Sequence, residues 1–192
     1  MIPSMASMPA LKAPTVYEQF LAVDPNRVAE IVHGQLRTFP RPASRHARAA
    51  SKLGMRIGAP FDDGEGGPGG WLILDEPELR IHGHILVPDL AGWRRTRMPE
   101  MPDAPFFEIA PDWVCEVLSP STAAHDRVDK LPLYASFGVG HAWLVDPLAE
   151  TLEVFERERG TWKAARAFRG AESVRAAPFD EIPLELAALW AR

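Results

Sequence analysis

Two carboxylates interrupt stretches of sequence that are otherwise apolar. Asp89 lies within Ile85–Ala91, and Glu116 lies within Trp113–Leu118. A buried charge is costly unless it is paired or binds a metal. The two acids are 27 residues apart, so they fall on different predicted strands, and neighbouring strands lie about 4.8 Å apart. Carboxylates at that spacing can share one Mg²⁺ ion, with phosphate and water oxygens completing its shell.

Lys130 is the third residue of interest, because it follows Glu116 by 14 residues, across a turn and onto a predicted helix. An ammonium there can stabilise a phosphorane-like transition state or position the attacking water. Simpler alternatives stay open: either acid can cap a turn or pair with an arginine, and a lone helix lysine is usually solvated. Asp112 follows a proline as Asp89 does, but it lies about 13 Å along the strand from Glu116. We assign it to the strand entrance.

The elements that must position these residues follow from periodicity and turn signals. Thr15 and Glu18 have the spacing of a capping box, which predicts a helix over 15–21. A second helix is predicted over 43–57, with His46, Ala50, Leu53 and Ile57 on its apolar face. The remaining predictions are hairpins at 29–39 and 151–168, strands at 71–74, 78–82, 85–93, 113–118 and 141–145, a helix at 126–137, and a short apolar strand or helix at 182–190.

This order of elements predicts an α/β (α+β) domain with a mixed central sheet. The chain has 192 residues, 46% of them hydrophobic and 24% charged, which is typical of one globular domain. We predict a loose lead-in over 1–14 and a single domain over 15–192. No apolar run is long enough to span a membrane, no secretory signal is visible and there is one cysteine. A cytoplasmic location is therefore expected.

The net charge of −5 excludes a protein that coats nucleic acid by bulk charge. The basic residues are nevertheless clustered, since the acid-free stretch from Arg37 to Arg56 carries six of the 21. A local basic surface of this kind can contact phosphates, although a solvated helix face is equally compatible. The residues expected to contact nucleic acid are Arg41, Arg45, Arg48 and Lys52 on this stretch, and Arg94 and Arg95 just after Asp89.

Several blocks together resemble the Uma-type restriction endonucleases of the PD-(D/E)XK nuclease superfamily. These blocks are Val87–Leu90, the run PDWVCEVLSPST from Pro111 to Thr122, the run WLVDP from Trp143 to Pro147, and the opening from Glu30 to Leu36. The resemblance covers about residues 15–190. It implies a restriction-endonuclease-like αβββαβ core with added β-hairpins and Mg²⁺-dependent hydrolysis of phosphodiester bonds, with Mn²⁺ as a substitute ion.

The resemblance also assigns roles to individual residues. Asp89 matches the Asp of the motif and Glu116 its (D/E), so both are implied metal ligands. Leu118 stands where the simple motif has lysine, and Lys130 matches the lysine that has moved to the following helix. Glu30 matches an acid typical of the family, which either supports or adds to the metal ligands or hydrogen-bonds its hairpin.

The sequence leaves the roles of four neighbouring residues open. His46 is expected to be a core histidine, with a contact to phosphate or water as the alternative. Tyr134 lies one turn after Lys130 and could order its side chain, although core packing is commoner. Asp126 is interpreted as a capping acid at the helix start. Cys115 alternates away from Glu116 on its strand and is not expected to be a nucleophile.

The predicted function is a Mg²⁺-dependent endonuclease acting on DNA. The alternative is a catalytically weak or inactive nuclease-fold module that binds a partner, and a sugar- or nucleotide-binding domain is disfavoured because no glycine fingerprint occurs. A homodimer is expected, since two sites can then cut two strands. The hairpin at 151–168 is the surface considered for it.

Overall fold

The computed structural model describes residues 13–190 of the chain. The predicted lead-in over 1–14 lies outside the described residues except for its last two positions, and the single domain over 15–192 stays a prediction. The elements are α1 (Val16–Leu21), β1 (Val28–Val32), β2 (Gln35–Phe39), α2 (Ser44–Gly58), β3 (Trp71–Asp75), β4 (Leu79–Ile81), β5 (His84–Leu86), β6 (Leu90–Arg94), β7 (Trp113–Val117), α3 (Ala123–His125), α4 (Leu131–Phe137), β8 (His141–Asp146), β9 (Thr151–Glu158), β10 (Thr161–Trp162), β11 (Arg166–Arg169), β12 (Ser173–Val174), β13 (Leu184–Glu185) and α5 (Ala187–Trp190).

The central sheet is mixed, as the sequence predicts. Its strands follow the order β10-β9-β8-β7-β6-β3, and β11 also pairs with β9. The pair β7–β8 is parallel, whereas β3–β6, β6–β7 and β8–β9 are antiparallel. The series α2, β3, β6, β7, α4 and β8 is the predicted αβββαβ core. A separate four-stranded sheet, β2-β1-β5-β4, is formed by two hairpins added to that core.

Both faces of the central sheet are covered, and Glu116 faces only one of them. Side chains alternate along β7, so Trp113, Cys115 and Val117 pack in the hydrophobic cluster that contains Leu53 of α2. Val114, which shares a face with Glu116, packs in the cluster that contains Tyr134 of α4. Glu116 therefore points toward α4, and Cys115 is buried on the opposite face.

The predicted strand 85–93 is wrong as a single element, because the chain changes sheets within it. His84–Leu86 forms β5 of the small sheet, and Leu90–Arg94 forms β6 of the central sheet. Pro88 lies between them and has no N–H to donate to a ladder. The break leaves Asp89 as the residue just before β6 rather than in a strand interior.

The helix predicted over 126–137 begins earlier and contains an irregular turn. Ala123–His125 leads into a π-helical turn over Asp126–Lys130, which continues as α4. Pro132 lies in the first turn of α4, directly after the wider π turn. Proline has no N–H to donate to the preceding turn. Such turns often occur at functional sites. Gly138, with φ 91°, ends the helix as predicted.

The other predicted elements are present with small shifts of their ends. Thr15 caps α1 with the reciprocal Glu18 contact of a capping box, and the β1–β2 pairing confirms the first hairpin. In α2 the buried positions are His46, Ala49, Leu53 and Ile57, so Ala49 replaces the predicted Ala50. Within residues 13–190, the helices are too short or too polar to cross a membrane.

Candidate active site

Asp89 and Glu116 are brought together by the pairing of β6 with β7. Leu90 lies opposite Cys115, and continuing that antiparallel register by one residue puts Asp89 opposite Glu116, on the same face. The backbone N–H of Val117 donates to Asp89 Oδ2 at 2.7 Å, which holds the acid against β7. His46 Nε2 lies 3.2 Å from Asp89 Oδ1, so the carboxylate is fixed by both of its oxygens.

Two side chains from the helix behind β7 hold Glu116. The Tyr134 hydroxyl donates to Glu116 Oε1 at 2.5 Å, and Lys130 Nζ lies 2.8 Å from the same oxygen. Tyr134 and Lys130 are four residues apart, one helical turn, and therefore share a face. Both of these contacts fall on Oε1, so Oε2 is the oxygen through which Glu116 would bind a cation.

Lys130 is also anchored by Glu30, from the small sheet. Its Nζ lies 2.9 Å from Glu30 Oε1 and donates to the Val87 carbonyl at 3.2 Å. Glu30 Oε1 in turn accepts from the Val87 N–H at 2.8 Å, and Glu30 Oε2 lies 2.9 Å from His125 Nε2. Glu30 thus positions Lys130 and connects the small sheet to the loop before Asp89.

These side chains line one cavity of about 260 Å³. Four buried or nearly buried acids border it, together with only a few cationic groups. Asp126 is among those acids: it is 4% exposed and its Oδ1 lies 3.8 Å from Lys130 Nζ. These four acids are Glu30, Asp89, Glu116 and Asp126, and the potential cations are Lys130, Arg41 and His46. The exposed Glu76 also lines the cavity and lies 3.8 Å from Arg41.

Burial and mutual repulsion make this cavity electrostatically unusual. Burial raises the pKa of Glu116 well above its ordinary value, and neighbouring acids add to the effect although Lys130 opposes it. Burial likewise raises the pKa of Asp126. For Glu30, burial is outweighed by Lys130, His125 and the Val87 N–H, which together lower its pKa to about 2. Lys130 has its pKa raised well above the ordinary value by Glu116 and Glu30, despite burial.

The donor set fits a hard divalent cation bound by few protein ligands. Within residues 13–190, no three His, Cys, Asp or Glu side chains are arranged to hold a metal ion together. Mg²⁺ typically binds through one or two carboxylates, with waters and substrate phosphates as its remaining ligands. Asp89 and Glu116 supply that pair, and the excess of acids over cations in the cavity favours a positive ion.

Comparison with family models identifies the chain's relatives. Residues 17–187 match the Uma2 family, which is described as "Putative restriction endonuclease". This match spans most of the chain. The chain belongs to this family. The restriction-endonuclease-like resemblance of the sequence blocks is thereby confirmed, and the Uma2 description supports a nuclease.

A solved structure shares the fold of this Uma2 chain. It is described as a "putative nuclease belonging to DUF820 from Anabaena variabilis ATCC 29413", and the two superpose with a TM-score of 0.76. The sequences are 22% identical over 93% of this chain and 98% of the other. The likeness confirms the nuclease-type fold. No curated protein matches the chain.

The fold gathers some of the predicted residues and separates others. Asp89, Glu116, Lys130, Glu30 and His46 all line the cavity, and Tyr134 contacts it through Glu116. His46 is not a core histidine bonded to backbone, because its ring faces Asp89. Burial alone would lower the pKa of His46, but the contact with Asp89 outweighs it and raises that pKa. Its Nδ1 is buried and has no hydrogen-bond partner among the described residues.

The predicted basic residues are spread over several surfaces. Arg41 borders the cavity, and Arg45 and Arg48 border a second cavity that also includes Trp190. Arg94 and Arg95 lie at the far end of β6 from Asp89. Arg94 stacks 4.4 Å from the Trp71 ring, and Arg95 bonds to Asp62 at 2.7 Å. Lys52 is partly exposed on α2.

The sequence analysis missed two residues at the helix start. Asp126 is not a capping acid but faces the cavity, because it lies four residues before Lys130 on the same side of the helix. His125 pairs with Glu30 and, at 2.8 Å, with Asp129, and these contacts raise its pKa despite burial. The spacing of Asp126 and Lys130 was the available signal for the first of these.

Proposed function

We propose that this Uma2-family chain is a Mg²⁺-dependent endonuclease that hydrolyses phosphodiester bonds of DNA. The observation that carries the proposal is the meeting of Asp89, Glu116 and Lys130 at one cavity, on elements that the nuclease-type core brings together. Asp89 and Glu116 would hold the ion. When bound, Mg²⁺ supplies Lewis-acid stabilisation of the phosphoryl oxygens and lowers the pKa of a water ligand.

The chain's own residues would position the reacting groups. Glu30 and Glu116 hold the Lys130 side chain as an ammonium, so Lys130 does not act as a base. Its three N–H groups already face Glu30, Glu116 and the Val87 carbonyl, so Lys130 would act through its positive charge, which stabilises the negative charge that develops on the phosphoryl group. The water oxygen forms a bond to phosphorus as the bond from phosphorus to the 3′ oxygen breaks. The leaving oxygen takes up a proton and the attacking water loses one.

Three further contacts support the geometry of the proposed ligands. Tyr134 fixes Glu116 Oε1, and His46 together with the Val117 N–H fixes Asp89. Residues that orient metal ligands in this way usually affect metal affinity and activity strongly. Both supporting residues come from helices packed on the sheet, so the ligands are held by rigid elements.

The direct test is cleavage of plasmid DNA in the presence of Mg²⁺ or Mn²⁺. We expect the wild-type chain to cut, and chelation of the metal or either of the variants Asp89→Ala and Glu116→Ala to abolish cutting. Equal cleavage by these variants would attribute the activity to a contaminant. DNA binding without cleavage by the metal-loaded wild type would instead favour the alternative of an inactive binding module.

DNA as partner and a homodimer belong to the same proposal. Arg41 is the predicted phosphate contact that lies at the cavity, while Arg45, Arg48, Lys52, Arg94 and Arg95 stay predictions for more distant phosphates. The expected dimer through residues 151–168 also stays a prediction, and light scattering of the purified protein checks it.

A further inference from the structure

The proposed catalytic carboxylates lie inside the molecule rather than on its surface. The side chain of Asp89 is 16% exposed and that of Glu116 is 4% exposed. A phosphodiester can therefore reach them only by entering the cavity. In a regular duplex the backbone lies along a stiff, paired rod, which cannot be pushed into a recess without bending or unpairing.

The size of the cavity limits what can enter. About 260 Å³ is slightly below the usual lower bound of roughly 300 Å³ for small-molecule pockets. A nucleotide freed from its complementary strand can enter this recess more readily than one held in a stiff duplex. The depth of the carboxylates therefore favours a substrate strand that is locally unpaired.

Part of the cavity wall is apolar and carries an aromatic ring. Val28 and Phe39 face each other as the outermost pair of the β1–β2 hairpin, and both line the cavity together with Pro40 and Pro42. The Phe39 ring is only partly buried, and its centroid lies 5.2 Å from that of His125. A charged phosphate gains little from contact with an apolar wall, whereas an unpaired base stacks on aromatic side chains.

The polar part of the wall is suited to a backbone. Ser121 and Thr122 line the cavity, and the hydroxyls of both lie 3.0 Å from that of Ser119. Arg41 borders the same space with an exposed side chain. Hydroxyl and guanidinium groups commonly contact phosphate and sugar. One nucleotide would therefore meet acids at its scissile phosphate, hydroxyls along its backbone and an apolar wall at its base.

We propose that this site acts on unpaired DNA, a single strand or a locally opened duplex, with one base held against Phe39 and Pro42. The inference rests on the proposed nuclease function and adds its substrate class. Unpairing costs least where a base is mismatched or already single-stranded, so such positions would be preferred over an intact duplex.

The test compares one sequence presented as a single strand, as a fully paired duplex and as a duplex with a short unpaired bubble. With wild-type protein and Mg²⁺, we expect kcat/KM for the single strand and the bubble to exceed that for the duplex by at least about tenfold. Cuts in the bubble substrate should fall within or beside the unpaired segment.

Variants at the apolar wall provide the second readout. Phe39→Leu keeps an apolar side chain but removes the ring, and we expect single-strand cleavage to fall roughly tenfold. Phe106→Leu is the matched control: its ring stacks on Arg80 at 4.1 Å, and it should leave cleavage unchanged. If Phe39→Leu is poorly folded by circular dichroism, Pro42→Ala replaces it, with a smaller loss expected.

The outcomes separate the two claims. Equal cleavage of the duplex and the single strand, or full activity of a folded Phe39→Leu protein, would overturn the substrate class and leave the nuclease intact. Failure to cut any of the three substrates with Mg²⁺ or Mn²⁺ would overturn the nuclease function itself, and the substrate class with it.

Discussion

Two aspartates that each follow a proline lie at opposite ends of β6 and have similar backbone surroundings. Asp89 accepts the Val117 N–H at 2.7 Å, and Asp112 accepts the Arg94 N–H at 2.8 Å. They differ in their remaining partners. Asp112 forms an ion pair with Arg97 at 2.9 Å, and the Arg97 side chain is 45% exposed. Asp89 shares a cavity with three buried acids, the exposed Glu76 and one buried lysine.

The comparison shows that charge balance, rather than the Pro-Asp dipeptide, marks the candidate site. At the Asp112 end each acid has an arginine partner near solvent, since Arg95 pairs with Asp62 and Arg97 with Asp112. Such exposed pairs contribute little to stability. At the Asp89 end the acids outnumber the cations and are buried, and burial of uncompensated charge favours a bound cation.

Replacement of Asp89 and of Asp112 should reveal the largest difference in activity between the two ends of β6. We expect Asp89→Asn to reduce Mg²⁺-dependent cleavage by at least about 100-fold, because it removes a charged ligand from the ion. Asp112→Asn, made in parallel, should stay within about threefold of wild type. Initial rates on the same DNA measure both. A similar loss in the two variants would mean that Asp112 also serves the reaction.

The cations at the two ends should differ in their contribution to stability. We expect Lys130→Met to lower the free energy of unfolding by about 3 kcal/mol, because Glu30 is left buried and charged without its main partner. Arg97→Met should lower it by less than about 1 kcal/mol, because its pair with Asp112 is exposed. Urea denaturation followed by tryptophan fluorescence measures both values. Equal losses would contradict the distinction between a buried and an exposed end.

The hydroxyl of Tyr134 tests how far the cavity depends on its supporting contacts. Tyr134→Phe removes the hydrogen bond to Glu116 Oε1 and should reduce cleavage about tenfold, since the ligand becomes less well oriented. Tyr17→Phe is the control: it removes the surface hydrogen bond that the Tyr17 hydroxyl accepts from Arg80, and cleavage should stay unchanged. An unchanged rate for Tyr134→Phe at several Mg²⁺ concentrations would show that Glu116 needs no such support.

The smallest effect is expected for single arginines near the two ends. Arg41→Ala should reduce the slope of log K against log salt for DNA binding by about 0.7 to 0.9, the value for one lost phosphate contact. Arg95→Ala should change the slope less, because its guanidinium lies 2.7 Å from Asp62, whereas Arg41 lies 3.8 Å from its nearest acid partner, Glu76. Fluorescence anisotropy at several salt concentrations measures both slopes. A larger change for Arg95 would place the DNA path at the Asp112 end.

The sequence allowed much of this site to be predicted, because the relevant residues break an apolar pattern. Asp89 and Glu116 were identifiable as charges within apolar runs, and Lys130 by its distance from Glu116 and by the family resemblance. Asp112 was separated from the site by strand geometry alone, and the structure places it with Arg97. The capping box at Thr15 and the helix end at Gly138 were also correct, since both depend on local backbone chemistry.

The errors concern features that depend on tertiary contacts. The change of sheet between β5 and β6 cannot be read from an apolar run, although Pro88 marks where it occurs. The helical segment begins at Ala123, earlier than predicted, and contains a π-helical turn over Asp126–Lys130. In this turn the Asp126 side chain lines the cavity. His46 was misassigned because its partner, Asp89, is distant in sequence.

The most direct test of the account is divalent-cation binding in the absence of DNA. Isothermal titration calorimetry measures Mn²⁺ affinity for the wild-type, Asp112→Asn and Asp89→Asn proteins. It distinguishes Asp89, the proposed metal ligand, from Asp112, which is paired with Arg97. We predict the same affinity for wild type and Asp112→Asn, and an affinity at least about tenfold weaker for Asp89→Asn. Equal Mn²⁺ binding by Asp89→Asn and wild type would contradict a metal site at Asp89 and Glu116.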